Sequence, residues 1–512
     1  MASKPRLRVQ APSRKVPARV QLPAARPKAF DAGKTGRRML AVPSSTVAIN
    51  ALIRQYGRTV LARSRYLAAN NPQTIQAKEV FVSALVGTGI KPSPLIQDPV
   101  LKKEMKLTWF DWTDESDADG LTDLYGQQGV VGTEMFEAGE CFVRLRARRV
   151  EDGLVVPFQL QLLPAEMLDL ADNRDLGNGR RVEMGIEFDA IGRRVAYHFW
   201  RQHPGASNIF GSSFTSLKTV VPADEVIHVF KPIRAGQIRG IPHILSAIIT
   251  AAALDAYNDA ELERKRIAAL FSAFITSDAP EEESTLDTGV EQAKSDGVSN
   301  GIGLEPGATV ELDPGQDIKF AEPADVGGNY EAFQYRTFLM QAAGMGVPYA
   351  DMTGDLRQSS YGSQRGGMIT FKRRIEPMQH AVIVFQFCRP VWRRFVADAV
   401  LVGAVPISPA MFQVRRREFL RVKWITPKWE WIDPLKDLMA EVLAMKAGIK
   451  SRSDVIEALG DDPEETDARI AADKKREQEL GLDFAESQFF QQALATALQP
   501  DPQPAQDKQD GA

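Results

Sequence analysis

Apolar positions recur at helical spacing from Ser45 to Ala69 and again from Gln73 to Val86, which predicts two amphipathic helices early in the patterned sequence. Between Glu140 and Phe230 the period drops to two. Runs such as CFVRLRARRV, LVVPFQLQLL, GIEFDAIGRRVAYHFW and EVIHVF, bounded by Gly, Pro, Asn or Asp, have the pattern of strands joined by turns, so 70–235 reads as a mixed unit rich in antiparallel sheet. Helical spacing returns from Ile244 to Ile275, about 32 residues without Gly or Pro, which at about 1.5 Å per residue gives a helix of about 48 Å. An acidic segment punctuated by Gly and Pro follows from Ser277 to Gly328, with a strand-like VELDPGQDIKF inside it. A second helix is predicted over Tyr330 to Gly344, then a polar Gly- and Ser-rich loop, then a long helical pattern from Met368 to Val402. Pro377 and Pro390 should kink or break that last pattern, because each removes a backbone donor and clashes with the preceding turn. Beyond it RREFLRVKWIT reads as sheet, and Pro434 to Ala447, Ser453 to Leu459 and a charged run to about Leu480 read as helices.

At 512 residues the chain is long enough for roughly three folding units. Its 63 Lys and Arg against 66 Asp and Glu exclude a chain-wide basic coat, so any nucleic-acid contact must be local. The exception is the start: residues 1–38 carry eleven Lys or Arg against the single acid Asp31, with five prolines, and 1–43 reads as a basic disordered arm, a solvated tail or an electrostatic attachment point. Residues 485–512, rich in Gln, Pro and Asp, read as a disordered tail. The two cysteines, Cys141 and Cys388, exclude a disulfide framework and point to a reducing compartment. The longest uncharged stretches, Gly240 to Leu254 and Ala399 to Val414, contain proline and fall short of the roughly 20 apolar residues of a membrane span. The N-terminus lacks the apolar segment of a secretory signal.

No motif for catalysis emerges. Gly33-Lys34-Thr35 ends like a phosphate loop, but Lys28 stands where the earlier glycine is required and no strand feeds it. Glu115 to Gly120 looks like a calcium loop until position 12, where Gly126 replaces the bidentate carboxylate, and it reads as a solvated acidic turn. The five histidines lack metal-ligand spacing, and Ser363 falls one position early for a nucleophile elbow. The expectation is a protein without cofactor or metal and not an enzyme; the competing readings are a DNA-processing enzyme of phage assembly with an unrecognised active site, and a ring or tail component that passes no DNA.

A long helix, an acidic insertion, a second helix, a polar loop and a very long kinked helix together describe a stem with a tip. Here the chain resembles the lambda-type portal proteins of tailed bacteriophages. The strings that carry the resemblance are VGTGIKPSP, the Trp109/Trp112 and DADG stretch, GECFVRLR, GIEFDAIGRRVAYHFWRQHPG, VPADEVIHVF, AGQIRGIPHILSAI, PADVGGNYEAF, AAGMGVPYADMTGDL and KWEWIDPLKD, running in the family's order from about residue 70 to 455. The resemblance implies an α+β portal fold in a dodecameric ring: a sheet-rich wing over 44–243, stem helices over 244–275 and 329–350, a small α/β clip over 276–328, a tunnel loop over 351–367, a long kinked helix returning to the wing over 368–432, and a helical crown over 433–484. It also implies a place at one capsid vertex of the virion, after assembly in the host bacterial cytoplasm and away from membranes. The partners implied are double-stranded DNA in the channel, the large terminase subunit, major capsid and scaffold proteins, and a head-completion or adaptor protein.

Residue roles follow as expectations. Arg357, Gln358, Ser359, Ser360, Tyr361, Ser363 and Gln364 would line the tunnel loop and touch phosphates transiently, or Arg357 would pair between subunits. The family's Asn-Tyr-Ser-Ser is Ser360-Tyr361-Gly362-Ser363 here. Asp255, Asp259, Glu261 and Glu263 would face the channel and repel DNA, or form a solvated, ion-paired face. Asp278, Glu281, Glu282 and Glu283 would dock the terminase on the clip. Trp424, Trp429 and Trp431 are expected as an aromatic anchor where wing meets crown.

Overall fold

The computed structural model describes residues 46–206, 218–270, 274–277, 316–319, 329–357, 359–429 and 434–482. Helices α1 (Ile49–Asn70) and α2 (Pro72–Leu85) follow the predicted amphipathic pair. Asn71 joins them: its side chain accepts the Thr74 N–H at 2.8 Å while Pro72 occupies the first turn of α2, where a missing donor costs nothing. After β1 (Lys91–Pro94) come α3 (Pro99–Glu115) and α4 (Leu124–Glu137), N-capped by Asp98 and Asp123. Three glycines in α4, Gly126, Gly129 and Gly132, blur its helical signature, and burial of Val131, Met135 and Phe136 outweighs their propensity cost. The acidic turn between α3 and α4 is not solvated as expected. Asp117 is buried, and its carboxylate accepts the backbone N–H groups of Asp119, Leu121 and Thr122 and the Gln127 amide.

The antiparallel region is present as β2 (Glu140–Ala147), β3 (Phe158–Leu163), β4 (Arg174–Gly177), β5 (Arg180–Glu183), β6 (Ile186–Phe188), β7 (Arg194–Trp200), β8 (Lys218–Pro222) and β9 (Val226–Phe230). They form a three-stranded sheet in the order β3-β2-β9 and a five-stranded meander from β4 to β8. Phe142, on β2, packs edge-on to Tyr197 and Phe199 of β7 and so joins the two sheets.

The helix expected over Ile244 to Ile275 is shorter. It is α5 (Ile248–Leu270), followed by β10 (Phe274–Ser277), in which Ile275 pairs with Ile318 of β11 (Gln316–Lys319). Phe274, Ile275 and Thr276 favour a pleated surface, and a pairing strand wins over a pattern that contains no breaker. Next come α6 (Asn329–Met345), α7 (Tyr349–Thr353) and α8 (Tyr361–Met378). The predicted break at the prolines takes an unusual form. Gln379–Cys388 is π-helical, with the Arg389 N–H donated to the Val384 carbonyl, and α9 (Arg389–Val402) carries Pro390 in its first turn. This run from α8 to α9 carries the core, with Phe387, Trp392, Phe395 and Val396 packed against Trp109 and Trp112 of α3. RREFLRVKWIT is only half sheet: α10 (Pro409–Phe419), capped by Ser408, takes Arg416 to Phe419, and β12 (Val422–Ile425) pairs with β1. Helices α11 (Pro434–Lys446), α12 (Arg452–Ala458) and α13 (Pro463–Leu480) complete the chain, and Asp462, at the start of α13, accepts from Ser93 and Lys106 at 2.7 Å.

The connection from the sheets to α5 is held by a buried ion pair. Arg239 is 1% exposed and donates to both Glu140 oxygens at 2.6 to 3.0 Å, and to the carbonyls of Met184, Ala165 and Leu168. The second Glu140 oxygen also accepts from the Gly240 N–H at 2.6 Å and from His228 at 3.0 Å. Arg194 donates to the other ring nitrogen of His228, so the imidazole is neutral with its proton on Nε2. The backbones approach so closely that a Cβ on Gly139 would lie 1.9 Å from the Ile241 carbonyl oxygen, and one on Gly240 would lie 2.3 Å from that of Gly139.

Burial favours the uncharged forms of both His228 and Glu140. It pushes His228 from 6.5 down to about 4, against the pull of the Glu140 hydrogen bond. For Glu140 it is outweighed by Arg239 and His228, which hold the carboxyl down from 4.5 to about 2. His243, buried near Lys231, is likewise pushed down to about 4. The unfolded chain therefore binds more protons than the folded one below pH 6.5, and stability present above that pH is lost as it falls toward 4 through the histidines, then from 4.5 toward 2 through Glu140.

Truncating Arg239 to Ala, which strands the Glu140 carboxylate, is expected to cost about 3–5 kcal/mol in urea unfolding at pH 7. The urea midpoint of the parent chain should fall between pH 6.5 and 4, and His228→Gln, which keeps a donor but does not titrate, should reduce that slope.

Candidate functional site

Helices α5 and α6 stand side by side. Tyr257 lies 5.2 Å from Phe333 and 6.0 Å from Tyr330 between ring centroids, and Asn258 accepts from Tyr330 and Gln334. At their base Ser246 donates to the Gly344 carbonyl at 3.0 Å, and a Cβ on Gly344 would lie 3.2 Å from the Ala247 methyl, so glycine here lets the helices close up. His243 is within hydrogen-bond distance of the Met345 carbonyl, at 3.0 Å.

The four acids of α5 do not act as one face. Asp255, Asp259 and Glu263 are four residues apart and share a stripe, whereas Glu261 lies on the other side of the helix. Asp255 accepts from Asn71 at 2.8 Å. Glu261 is buried and paired with Arg264 at 2.7 Å, and Glu263 is exposed, 3.6 Å from Arg266. Asp259 is exposed.

The loop expected over 351–367 is narrower in the structure. Residues 349–353 form α7, and Tyr361, Ser363 and Gln364 lie in the first turn of α8 rather than in a loop. The reason is local: Ser360 accepts the Ser363 N–H at 3.2 Å and Ser363 accepts the Ser360 N–H at 2.8 Å, a reciprocal box that starts the helix at once. The loop proper is 354–360, of which Gln358 lies outside the described residues. Residues 361–367 of α8 are all exposed. Arg365 reaches back from this turn to Asp437 of α11 at 2.9 Å and to the Tyr361 hydroxyl at 3.2 Å, while Lys372 and Phe371 pack on Trp429. Trp424 is packed against the core, and Trp431 lies outside the described residues.

Arg357 is 73% exposed, yet its charge is matched twice within the chain. It donates from Nε and Nη2 to the two Asp355 oxygens, both at 3.0 Å, and from Nη1 to Glu331 of α6 at 2.9 Å. Its guanidinium holds the Asp355 carboxyl well below the usual range, helped by the Tyr349 hydroxyl at 3.1 Å. The sequence reading missed Asp355, Glu331 and Asp437 as partners. Only the Asp-x-Arg spacing was a local signal for the first, and nothing periodic places Glu331 or Asp437 beside the loop.

Asp278, Glu281, Glu282 and Glu283, the basic arm of 1–43, the tail of 485–512 and the middle of the 276–328 insertion lie outside the described residues. Among the described residues no group of three or more His, Cys, Asp or Glu could hold a metal ion, and no helix is long and apolar enough to cross a membrane.

Residues 35–379 match the family model for phage portal proteins of the lambda family. The chain is 26% identical over 349 residues to a probable portal protein of Halomonas phage phiHAP-1, covering 67% of this chain and 65% of that one. It is 21% identical over 351 residues to portal protein B of Escherichia phage lambda, covering 64% of each. The matched stretch thus spans slightly less than two thirds of these relatives' own lengths. Among solved structures, the neck of an empty gene transfer agent particle computed with C6 symmetry aligns with a TM-score of 0.48 at 14% identity, over 79% of this chain and 93% of that one. The class is that of phage portal proteins, and on the match to 35–379 this chain belongs to the lambda family.

Ser360→Ala removes the acceptor that starts α8 and should cost about 1 kcal/mol of local helix stability. Hydrogen exchange of the amides of 361–364 is expected to speed up, with the β2 and β9 amides unchanged.

Proposed function

We propose that the chain forms a ring, a dodecamer by the family pattern, at the unique vertex of a phage capsid, and that double-stranded DNA is packaged and later ejected through its centre. The observation that carries this reading is the family match across 35–379. The role is mechanical and non-enzymatic: a large terminase subunit supplies the packaging energy and docks on the clip of 276–328, with Asp278, Glu281, Glu282 and Glu283 as its acidic contacts. A head-completion or adaptor protein takes that place afterwards, major capsid and scaffold proteins surround the ring, and assembly occurs in the bacterial cytoplasm before the ring becomes part of the virion.

In this reading α5 and α6 are the stem, 354–360 with the first turn of α8 is the constriction, and 433–484 is the crown. A conduit for DNA works against dense positive lining, because each neutralised phosphate adds binding that has to be undone at every step. The pairing of Arg357 with Asp355 and Glu331 and of Arg365 with Asp437 supports a constriction of nearly balanced charge. Arg357 then acts first as a clamp on the loop, meeting phosphates only in passing, and Asp259 and Glu263 are the stem acids best placed to repel DNA.

Negative-stain imaging with mass measurement of the purified full-length protein should show rings of about a dozen subunits with a central channel, without ATP hydrolysis; a monomer or dimer persisting across concentration and salt would overturn the ring. In a packaging assay Arg357→Ala and Glu331→Gln should raise DNA slippage together, since both release the same clamp. Unchanged velocity and retention in Arg357→Ala would remove this residue from the constriction.

A further inference from the structure

Where α9 meets β12 and the turn after β1, a shallow open cleft of about 260 Å³ is lined by Arg389, Arg393 and Arg421, with Leu95 and Leu420 at its apolar side and Trp392 in its wall. None of the three guanidinium groups has a carboxylate within ion-pair distance among the described residues. Neighbouring acids are already engaged: Asp398 by Arg394 and Glu418 by Arg415, both at 2.6 Å. The Trp392 side chain is 1% exposed, yet its indole N–H has no acceptor among the described residues. A buried donor without a partner is rare in a folded protein and asks for a group to complete it. Three free cationic forks beside one orphaned N–H make a receptor for an oxyanion.

We infer that this cleft binds a carboxylate side chain of an acidic segment in a partner polypeptide, with apolar residues of that segment covering its rim. The size and the rim decide between the two polyanions that could approach. The volume suits one side chain, and the surroundings are apolar: Leu95 is 51% exposed and Val414, in the adjoining depression that shares Arg421, is 88% exposed. A DNA duplex presents a continuous row of phosphates and no apolar groups to cover those side chains, so it would meet the arginines and leave the rim wet. A peptide with Glu or Asp flanked by Leu or Phe meets both demands. The guanidinium groups would hold the carboxylate, and the indole N–H would donate its fourth hydrogen bond from below. The inference is independent of the portal reading, because it uses only the charge, burial and shape of this cleft.

The test uses the full-length protein and a labelled 15-residue peptide carrying two Leu-Glu-Leu triplets in a Gly/Ser background, read by fluorescence anisotropy. The Glu-to-Gln version should bind about tenfold more weakly or not at all, and Arg421→Ala, an exposed position, should weaken the acidic peptide about tenfold. Trp392→Phe, which keeps an aromatic ring but removes the donor, should weaken it by a few-fold. If it fails to fold, Arg421→Ala and Arg393→Ala carry the test alone. Equal binding of the Glu and Gln peptides, or unchanged affinity in the arginine variants, would overturn the site. A 20-base-pair duplex that binds more tightly than the peptide, displaces it and loses affinity in the same variants would overturn the polypeptide assignment in favour of nucleic acid.

Discussion

The pairing of Arg239 with Glu140 is the constraint from which the rest of the architecture can be traced. An ion pair with both partners under 4% exposed is tolerable only if every remaining donor and lone pair is satisfied. Here that requirement recruits carbonyls from three separate turns, a histidine from β9 and the Gly240 amide. It also demands glycine at 139 and 240, since any Cβ would collide with the facing backbone. Once those groups are locked, the chain that leaves the sheet at 239–243 has little freedom in where it delivers α5, and α6 follows through the contacts of Ser246 and His243. A second chain of the same make-up, Arg174 to His198 to Glu187 with Arg180, lies in the five-stranded sheet, so the fold uses cross-strand Arg-His-Glu relays twice.

This network explains why the sequence was so readable in its middle. The strings that carried the resemblance to portal proteins include GECFVRLR, VPADEVIHVF, AGQIRG and GIEFDAIGRRVAYHFW, and these contribute Glu140, His228, Arg239 and Arg194. Residues far apart in the chain are fixed together because they meet in one buried site. Period-two alternation likewise revealed the strands between 140 and 230, where each has one face in the core.

What escaped the sequence was decided by partners that pattern alone does not reveal. Ile244 to Ile275 contains no breaker, yet its end pairs as a strand because Gln316–Lys319 is available to receive it. Ser360 and Ser363 looked like loop residues from their polarity, and that same polarity makes the reciprocal cap that ends the loop. Arg357 was assigned to phosphate on its charge; only the fold brings Glu331, 26 residues earlier, within reach of it. The acidic turn at Asp117 read as solvated because carboxylates usually are, but four donors converge on it. In each case short-range composition was right about chemistry and silent about geometry.

The π-helical stretch between the two prolines also works as a setting of phase. Each residue of an ordinary helix advances the backbone by about 100°, and hydrogen bonds that reach one residue further underwind it. Ten residues of such winding, Gln379–Cys388, sit between the part of the rod fixed in the core by Trp392 and Phe395 and the part whose first turn is bare. The azimuth at which residues 361–367 face outward is therefore written in the middle of the rod rather than at its tip. A change of register there would swing every side chain of that turn at once, with no contact at the turn itself altered.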